Sequence, residues 1–146
     1  MPFVMDASVA MGFLLGDDDT GYADRVARAL STDIAVVPSL FRLECANVLL
    51  GAERRARISP GQANEALDLL LGLPVYEATY ETGLAQRHLL HVLDLGRQHG
   101  LSAYDAAYLS LALDLRLPLA TTDGRLRAAA ASAGVPLLFD TGSALA

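Results

Sequence analysis

The chain has 146 residues, of which 53% are hydrophobic and 19% charged, so we expect a single domain over 1–146 with a full apolar core. Seventeen acidic and eleven basic residues give a net charge of −6, which argues against a non-specific nucleic-acid binder with a basic stripe. All eleven basic residues are arginine, and the lack of lysine excludes P-loop, Schiff-base and kinase-type chemistry.

Cellular location is indicated by the cysteine content and the apolar runs. The single cysteine, Cys45, excludes an internal disulfide and a cysteine-rich zinc site, which favours a reducing cytoplasm. No apolar run reaches the roughly 18 to 20 residues of a membrane span. The first apolar run carries Asp6 and has no basic segment before it, so we expect neither a membrane segment nor a signal peptide.

Apolar runs of strand length alternate with segments of helical period, which predicts an α/β fold with about five mainly parallel strands and helices on both faces. Strands are predicted at Phe3–Met5, Ile34–Val37, Val75–Glu77, Leu119–Thr121 and Val135–Phe139. Helices are predicted at Ala7–Leu15, Tyr22–Leu30, Ser39 to about Arg55, Pro60 to near Gly72, Thr79–Gln98, Ala103 to about Leu115, and Gly124 to Gly134. Predicted N-caps are Ser39, Ser59, Ser102 and Asp123.

The last strand is expected at an edge of the sheet. It contains Pro136, which has no backbone N–H to donate to a neighbouring strand. A central position would leave a gap in the ladder of hydrogen bonds, whereas an edge position needs only one bonded side.

Two aspartates directly follow predicted strands. Asp6 ends the strand Phe3–Met5, and Asp123 follows Leu119–Thr121. In parallel α/β sheets, binding sites form outside the carboxyl ends of the strands, so both side chains are expected at the same edge. Each could instead serve only as the N-cap of the next helix.

Two more acids are predicted at that edge from the start of helices. Glu44 interrupts an apolar helix about 7 to 8 Å from its N-terminus, and Asn47 shares its face. Asp105 lies in the first turn of the helix that precedes the strand Leu119–Thr121. For Glu44, the alternatives are an ion pair with Arg42 or a partly exposed side chain. For Asp105, the alternative is a capping interaction with Ser102.

Four carboxylates at one edge would repel one another unless a positive charge lay between them. Because carboxylate oxygens suit Mg²⁺ or Mn²⁺, we expect a divalent cation there. The hydroxyls of Ser8 and of Thr121 or Thr122 could add ligands or orient them. An all-oxygen site with one or two such ions is suited to phosphodiester hydrolysis by a metal-activated water.

These motifs resemble those of the PIN-domain ribonucleases, and most closely the VapC-type toxins of toxin–antitoxin pairs. The resemblance covers essentially the whole chain and is carried by DAS, PSLFRLECANVL, LSAYDAAYLSLA and LATTDGRL. It implies an α/β/α sandwich, Mg²⁺- or Mn²⁺-dependent RNA cleavage in the cytoplasm, a homodimer, and inhibition by a cognate antitoxin protein.

The resemblance also assigns roles to individual residues. The catalytic and metal-binding acids would be Asp6, Glu44, Asp105 and Asp123, and Thr121 matches the hydroxyl of the T-x-D motif. Ser8, Asn47 and Thr122 are expected to support these acids because of their positions in the sequence, not because of the resemblance. Because the chain is acidic, local arginines must supply the contacts to RNA. The candidates are Arg42, Arg125, Arg127 and the cluster Arg54, Arg55 and Arg57, although a cluster at a helix end is also consistent with a solvated surface.

The sequence also allows other interpretations of the function. A non-catalytic, doubly wound interaction module (a degenerate PIN domain) would use all four acids as helix caps. An aspartyl-phosphate phosphatase would need a second Asp where this chain has Ser8, and a basic phosphate-binding residue. His88 and His91 are interpreted as helix surface, and Cys45, Tyr104 and Tyr108 as core residues.

Overall fold

Four short parallel strands form the sheet in this computed structural model, which describes residues 1–80 and 82–139. The strands are β1 (Phe3–Met5), β2 (Ala35–Val37), β3 (Val75–Glu77) and β4 (Leu119–Ala120), in the order β3-β2-β1-β4. Strand β1 is entirely buried and pairs with both β2 and β4, so it lies in the middle of the sheet. The predicted α/β class and parallel arrangement are confirmed.

The predicted fifth strand is reduced to a single parallel bridge between Leu119 and Leu137. Leu119 N donates to Pro136 O at 2.9 Å, and Leu138 N donates to Leu119 O at 2.9 Å. Because Pro136 has no N–H, pairing cannot continue through it as a regular ladder. The segment nevertheless extends the sheet beyond β4, which is the edge position expected from the proline.

Seven helices of the described chain flank the sheet, as an α/β/α sandwich requires. They are α1 (Ala7–Leu15), α2 (Tyr22–Ala29), α3 (Phe41–Arg54), α4 (Pro60–Leu71), α5 (Thr82–His99), α6 (Ala103–Leu115) and α7 (Gly124–Ala133). Helix α1 packs against α2, α3 and α4, whereas α6 packs against α5, α7, β1 and β4. Among the described residues, no helix is both long enough and apolar enough to cross a membrane.

The predicted helix starts are mostly right, but Ser39 is not a cap, and α5 begins at Thr82 and not at the predicted Thr79. Ser59 forms a full capping box, because its Oγ accepts from Gln62 N and its own N–H donates to Gln62 Oε1. The prediction that Ser39 caps α3 is wrong. A turn in which Phe41 N donates to Pro38 O at 3.0 Å precedes the helix and places Leu40 at the N-cap position.

The core lies between the sheet and the two groups of helices. Its largest fully buried side chains include Phe3 and Met5 of β1, Phe41 of α3 and Tyr108 of α6. These residues belong to one buried cluster that joins β1, α3 and α6, and the predicted acids Asp6, Glu44 and Asp105 lie in or directly after these elements.

Candidate active site

Asp6 follows β1 and is only 5% exposed. Its backbone N–H donates to Ala120 O at 2.9 Å, which ties it to β4. Its Oδ2 accepts from both Ser8 Oγ and Thr121 Oγ1, each at 2.8 Å. Although Asp6 occupies the N-cap position of α1, its side chain makes no capping hydrogen bond within the described chain. Capping therefore does not account for this buried carboxylate.

The segment after β4 continues the same hydrogen-bond network. Thr121 Oγ1, besides donating to Asp6, accepts from Asp123 N at 3.0 Å, and Ser8 Oγ accepts from Thr122 N at 3.3 Å. Asp123 does cap α7, since its Oδ1 accepts from Leu126 N at 2.9 Å. The capping interpretation is thus right for one oxygen of Asp123, but a carboxylate has further lone pairs that can serve a cation.

Glu44 is held by an unexpected partner, Tyr108. The Tyr108 hydroxyl donates to Glu44 Oε1 at 2.6 Å, and the tyrosine is fully buried in the core. The predicted alternative partner, Arg42, instead donates to Val75 O at 3.2 Å and lies 3.5 Å from Glu77 Oε2. The Arg42 guanidinium therefore lies beside β3. Its role in substrate binding stays a prediction.

The sequence contains one signal that points to Tyr108. A tyrosine buried on an apolar helix needs a partner for its hydroxyl, and Tyr108 follows Asp105 by three residues, so both lie on one face of α6. Asp105 itself is half-buried in the first turn, where its backbone N–H donates to Ser102 Oγ at 3.1 Å.

The acids influence one another's protonation. Burial is the main cause that raises the pKa of Asp6, and the negative charge of Asp123 raises it further. Burial likewise raises the pKa of Glu44, with contributions from Asp6 and Asp105. The pKa of Asp105 is raised by burial and by the charges of Asp6 and Asp123. The charges of Asp6, Asp105 and Asp123 therefore each act to raise the pKa of at least one other acid of the predicted set.

This group does not form a ready-made cage for one ion. Within residues 1–80 and 82–139, no three His, Cys, Asp or Glu side chains stand close enough together to hold a metal. At most two carboxylates could therefore be direct ligands of one cation with the side chains as they stand. Mg²⁺ is commonly held by only one or two carboxylates and keeps several waters, so this donor set fits a hydrated hard cation.

The predicted arginines differ in their surroundings. Arg127 Nη1 donates to Thr121 O at 2.8 Å, and its guanidinium lies 5.3 Å from the centre of the Tyr22 ring, so it fastens α7 to the end of β4. Arg125 is exposed, and its positive charge acts to lower the pKa of Asp105. Of the two, Arg125 has the more exposed side chain.

Asn47 is exposed and lines a cleft of about 410 Å³ together with Glu44. The same cleft is bordered by Leu43 and Tyr104, which are 75% and 63% exposed, so the core position predicted for Tyr104 is wrong. Asn47 thus lies beside the site acids, at the boundary between a polar and an apolar surface.

The interpretation of His88 and His91 as plain helix surface is incomplete. The two Nδ1 atoms lie 3.1 and 3.0 Å from the buried Ser110 Oγ, and the His88 ring stacks on Tyr80 at 4.5 Å. These contacts fasten α5 to α6. The Cys45 thiol is buried as expected, and burial raises its pKa to about 12, so it is not a nucleophile.

Comparison with known proteins supports the fold and the family. A model of the PIN domain family matches residues 3–132. The chain is similar to PAE2754 from Pyrobaculum aerophilum, with 23% identity, a TM-score of 0.64 and coverage of 88% of this chain and 87% of that one. No curated protein sequence matches the chain significantly.

Two further similar structures are complexes. One is VapBC2 from Rickettsia felis bound to a DNA fragment from their promoter, with 13% identity, a TM-score of 0.65 and coverage of 94% of this chain and 98% of that one. The other is VapBC-1 from nontypeable Haemophilus influenzae, with 17% identity, a TM-score of 0.62 and coverage of 94% and 97%. At these identities the likeness shows a shared fold.

Proposed function

We propose that this chain, which belongs to the PIN-domain family, is a Mg²⁺- or Mn²⁺-dependent endoribonuclease with Asp6, Glu44, Asp105 and Asp123 as its site acids. The observation that carries the proposal is the state of Asp6. It is 5% exposed, has no capping bond among the described residues, and lies within the field of another carboxylate. Keeping a charged group there costs stability, and a cation would offset that cost.

The side chains have distinct tasks in this proposal. Ser8 and Thr121 donate to Oδ2 of Asp6, which fixes the direction of its remaining lone pairs. The cation, when bound, supplies Lewis acidity and lowers the pKa of the attacking water. Because at most two carboxylates ligate one ion in this geometry, a third is available as proton acceptor. We assign this task to Oε2 of Glu44, since Oε1 already accepts from Tyr108.

A role as the toxin of a toxin–antitoxin pair is the finer part of the proposal. It is supported by the motif resemblance to VapC-type toxins and by the shared fold with chains of two VapBC complexes. The apolar cleft beside Glu44, with Leu43 and Tyr104 exposed, offers a surface for an antitoxin or for a second copy in a homodimer. Such a pair would act in the cytoplasm, where its RNA substrate is.

A non-catalytic interaction module is the second candidate. The observations in its favour are the capping bond of Asp123 and the bond from Asp105 N to Ser102, both of which a purely structural role would explain. A purely structural role does not explain why Ser8 and Thr121 both donate to the buried carboxylate of Asp6.

RNA cleavage separates the two candidates. Total RNA is incubated with wild type, Asp105→Ala and Asp94→Asn, each with Mg²⁺, with Mn²⁺ or with EDTA. Asp94 is an exposed α5 acid whose loss should not matter. We expect cleavage by wild type and Asp94→Asn only with metal, and none by Asp105→Ala. Equal cleavage by Asp105→Ala, or cleavage in EDTA, would refute the assignment.

Metal binding is checked by thermal unfolding with increasing Mn²⁺. At ten times the dissociation constant, binding stabilises the fold by about 1.4 kcal/mol, which is a rise in Tm of a few degrees. Asp6→Asn should lose most of this rise while keeping the fold, because Asn accepts the same hydroxyl bonds. An unchanged melting curve of wild type at millimolar Mn²⁺ would favour the interaction module.

A further inference from the structure

A second cleft, of about 430 Å³, lies between α1 and α3 and opens beside the site acids. We call it the α1–α3 cleft. Its near end is lined by Ser8 and Thr122, and its far end by Asp17, Arg55 and Arg57. It therefore joins the hydroxyl that holds Asp6 to two of the arginines in the cluster at the end of α3.

The near end is in direct contact with the acidic site. Ser8 Oγ donates to Asp6 Oδ2 at 2.8 Å and accepts from Thr122 N at 3.3 Å. From Ser8 to Asp17, the length of α1 spans roughly 14 Å at about 1.5 Å per residue. Stacked nucleotides repeat every 3.4 Å or so, so the cleft matches about four nucleotides of a single strand.

The far end contains a pair of opposite charges that solvent reaches. Arg57 Nη2 lies 2.6 Å from Asp17 Oδ1, and the two side chains are 48% and 41% exposed. An exposed ion pair of this kind is weak, and a phosphate offers Arg the same two-pronged acceptor as a carboxylate. The carboxylate of Asp17 thus binds the Arg57 guanidinium at the place where a phosphate would bind it.

The other two acids of the far end differ in how they are engaged. Asp18 accepts from Thr20 and from Asp24 N, so its charge stabilises the turn before α2. Asp19 is exposed in the same cleft, with no hydrogen bond or ion pair in the described part of the chain. Asp19 is therefore a matched control for Asp17, with the same charge and nearly the same position.

We propose that the α1–α3 cleft guides a single RNA strand to the site acids, with Arg55 and Arg57 contacting backbone phosphates and Asp17 competing with RNA for Arg57. The inference rests on the proposed function, since it names the path of the substrate of that same site. Asp17 keeps the arginine from binding anions non-specifically, and a strand that also reaches Ser8 displaces it.

The test is the affinity for a short single-stranded RNA, measured by fluorescence anisotropy with Mg²⁺ present. All proteins carry Asp105→Asn so that the RNA stays intact. Asp17→Asn should tighten binding about two- to fivefold, the range that release of an exposed ion pair allows. Asp19→Asn should tighten it clearly less. When Arg57→Gln is also present, Asp17→Asn and Asp19→Asn should raise the RNA affinity by the same factor, because Asp17 then has no arginine to release.

Salt dependence provides a second readout. Loss of one phosphate contact lowers the slope of log affinity against log salt by about 0.7 for a single strand. In a protein that carries Asp17→Asn, we expect Arg57→Gln to lower the slope by this amount. Arg28→Gln is the control, since Arg28 is exposed in the last turn of α2, and it should leave the slope unchanged.

Two results would overturn the inference. One is equal tightening by Asp17→Asn and Asp19→Asn, because a general charge effect would then suffice. The other is a salt slope that Arg57→Gln leaves unchanged. Either result, with metal-dependent cleavage intact in the wild type, refutes the path and leaves the nuclease standing. If the affinities of the Asp17, Asp19 and Arg57 variants change as expected but the wild type cleaves no RNA, RNA binding in this cleft is supported and the nuclease function is refuted.

Discussion

Tyr108→Phe isolates one hydrogen bond of the candidate site. The substitution keeps the buried ring and removes only the hydroxyl that donates to Glu44 Oε1 at 2.6 Å. A hydrogen bond to a charged group contributes about 1.5 to 3 kcal/mol to stability. Because Glu44 is half-buried and water can replace part of the lost bond, we expect a smaller cost than this, about 1 to 2 kcal/mol. For a chain of this size, that is a fall in Tm of about 3 to 6 °C.

The same substitution should also change the titration of Glu44. The bond from Tyr108 lowers the pKa of Glu44 against the raising effect of burial, so its loss lets that pKa rise further. Cleavage would then need a higher pH, because Glu44 must be ionised to accept a proton. Urea unfolding gives the stability, and the pH dependence of the cleavage rate gives the shift.

Tyr104→Phe is the matched control, since Tyr104 lies on the same helix and is 63% exposed. It should change neither quantity. The reasoning is refuted if Tyr108→Phe is as stable as wild type, or if its loss of activity is the same at every pH.

Two further predictions concern the network around Asp6. The raised pKa of Asp6 means that its protonation stabilises the fold below the unfolded value of 3.8 and that this stability is lost as the pH rises through the folded pKa. Asp6→Asn should therefore stabilise the metal-free protein at pH 7, by about 1.4 kcal/mol for each unit of the shift, as measured by urea unfolding in EDTA. Thr121→Val removes a buried donor to Asp6 and the acceptor of Asp123 N, so it should cost about 1 to 3 kcal/mol, whereas Thr121→Ser should retain most of the stability. Urea unfolding of Thr121→Val that matches wild type would contradict the proposed network.

The order of the elements could be predicted from the sequence because it depends on local patterns. Apolar strand runs, the proline at the start of α4 and the glycine after α7 are all visible within a few residues. The positions of Asp6 and Asp123 follow from the rule that parallel strands end at one edge. The error at Ser39 has a local cause too, since a Pro-Ser pair suits a turn as well as a helix cap.

The partners of the site residues could not be predicted, because they come from distant segments. Tyr108 is 64 residues from Glu44, and Ser110 is 22 and 19 residues from His88 and His91. No periodicity within one helix indicates which side chain of another helix lies opposite. Arg42 shows the same limit, because its contact with Val75 depends on how α3 packs beside β3.

Part of the net charge of −6 comes from the proposed site acids, so it would change when a cation binds. Four of the acidic residues are the proposed site acids Asp6, Glu44, Asp105 and Asp123. Without a cation, this group would repel the phosphate of the proposed RNA substrate. Two divalent cations would add four positive charges and bring the formal charge from −6 to −2. The cation would thus control RNA affinity as well as the chemistry. In the proposed path, Arg55 and Arg57 share the far end of the α1–α3 cleft with Asp17, Asp18 and Asp19. Arg57 can therefore hold a strand there only where a phosphate displaces Asp17 from it.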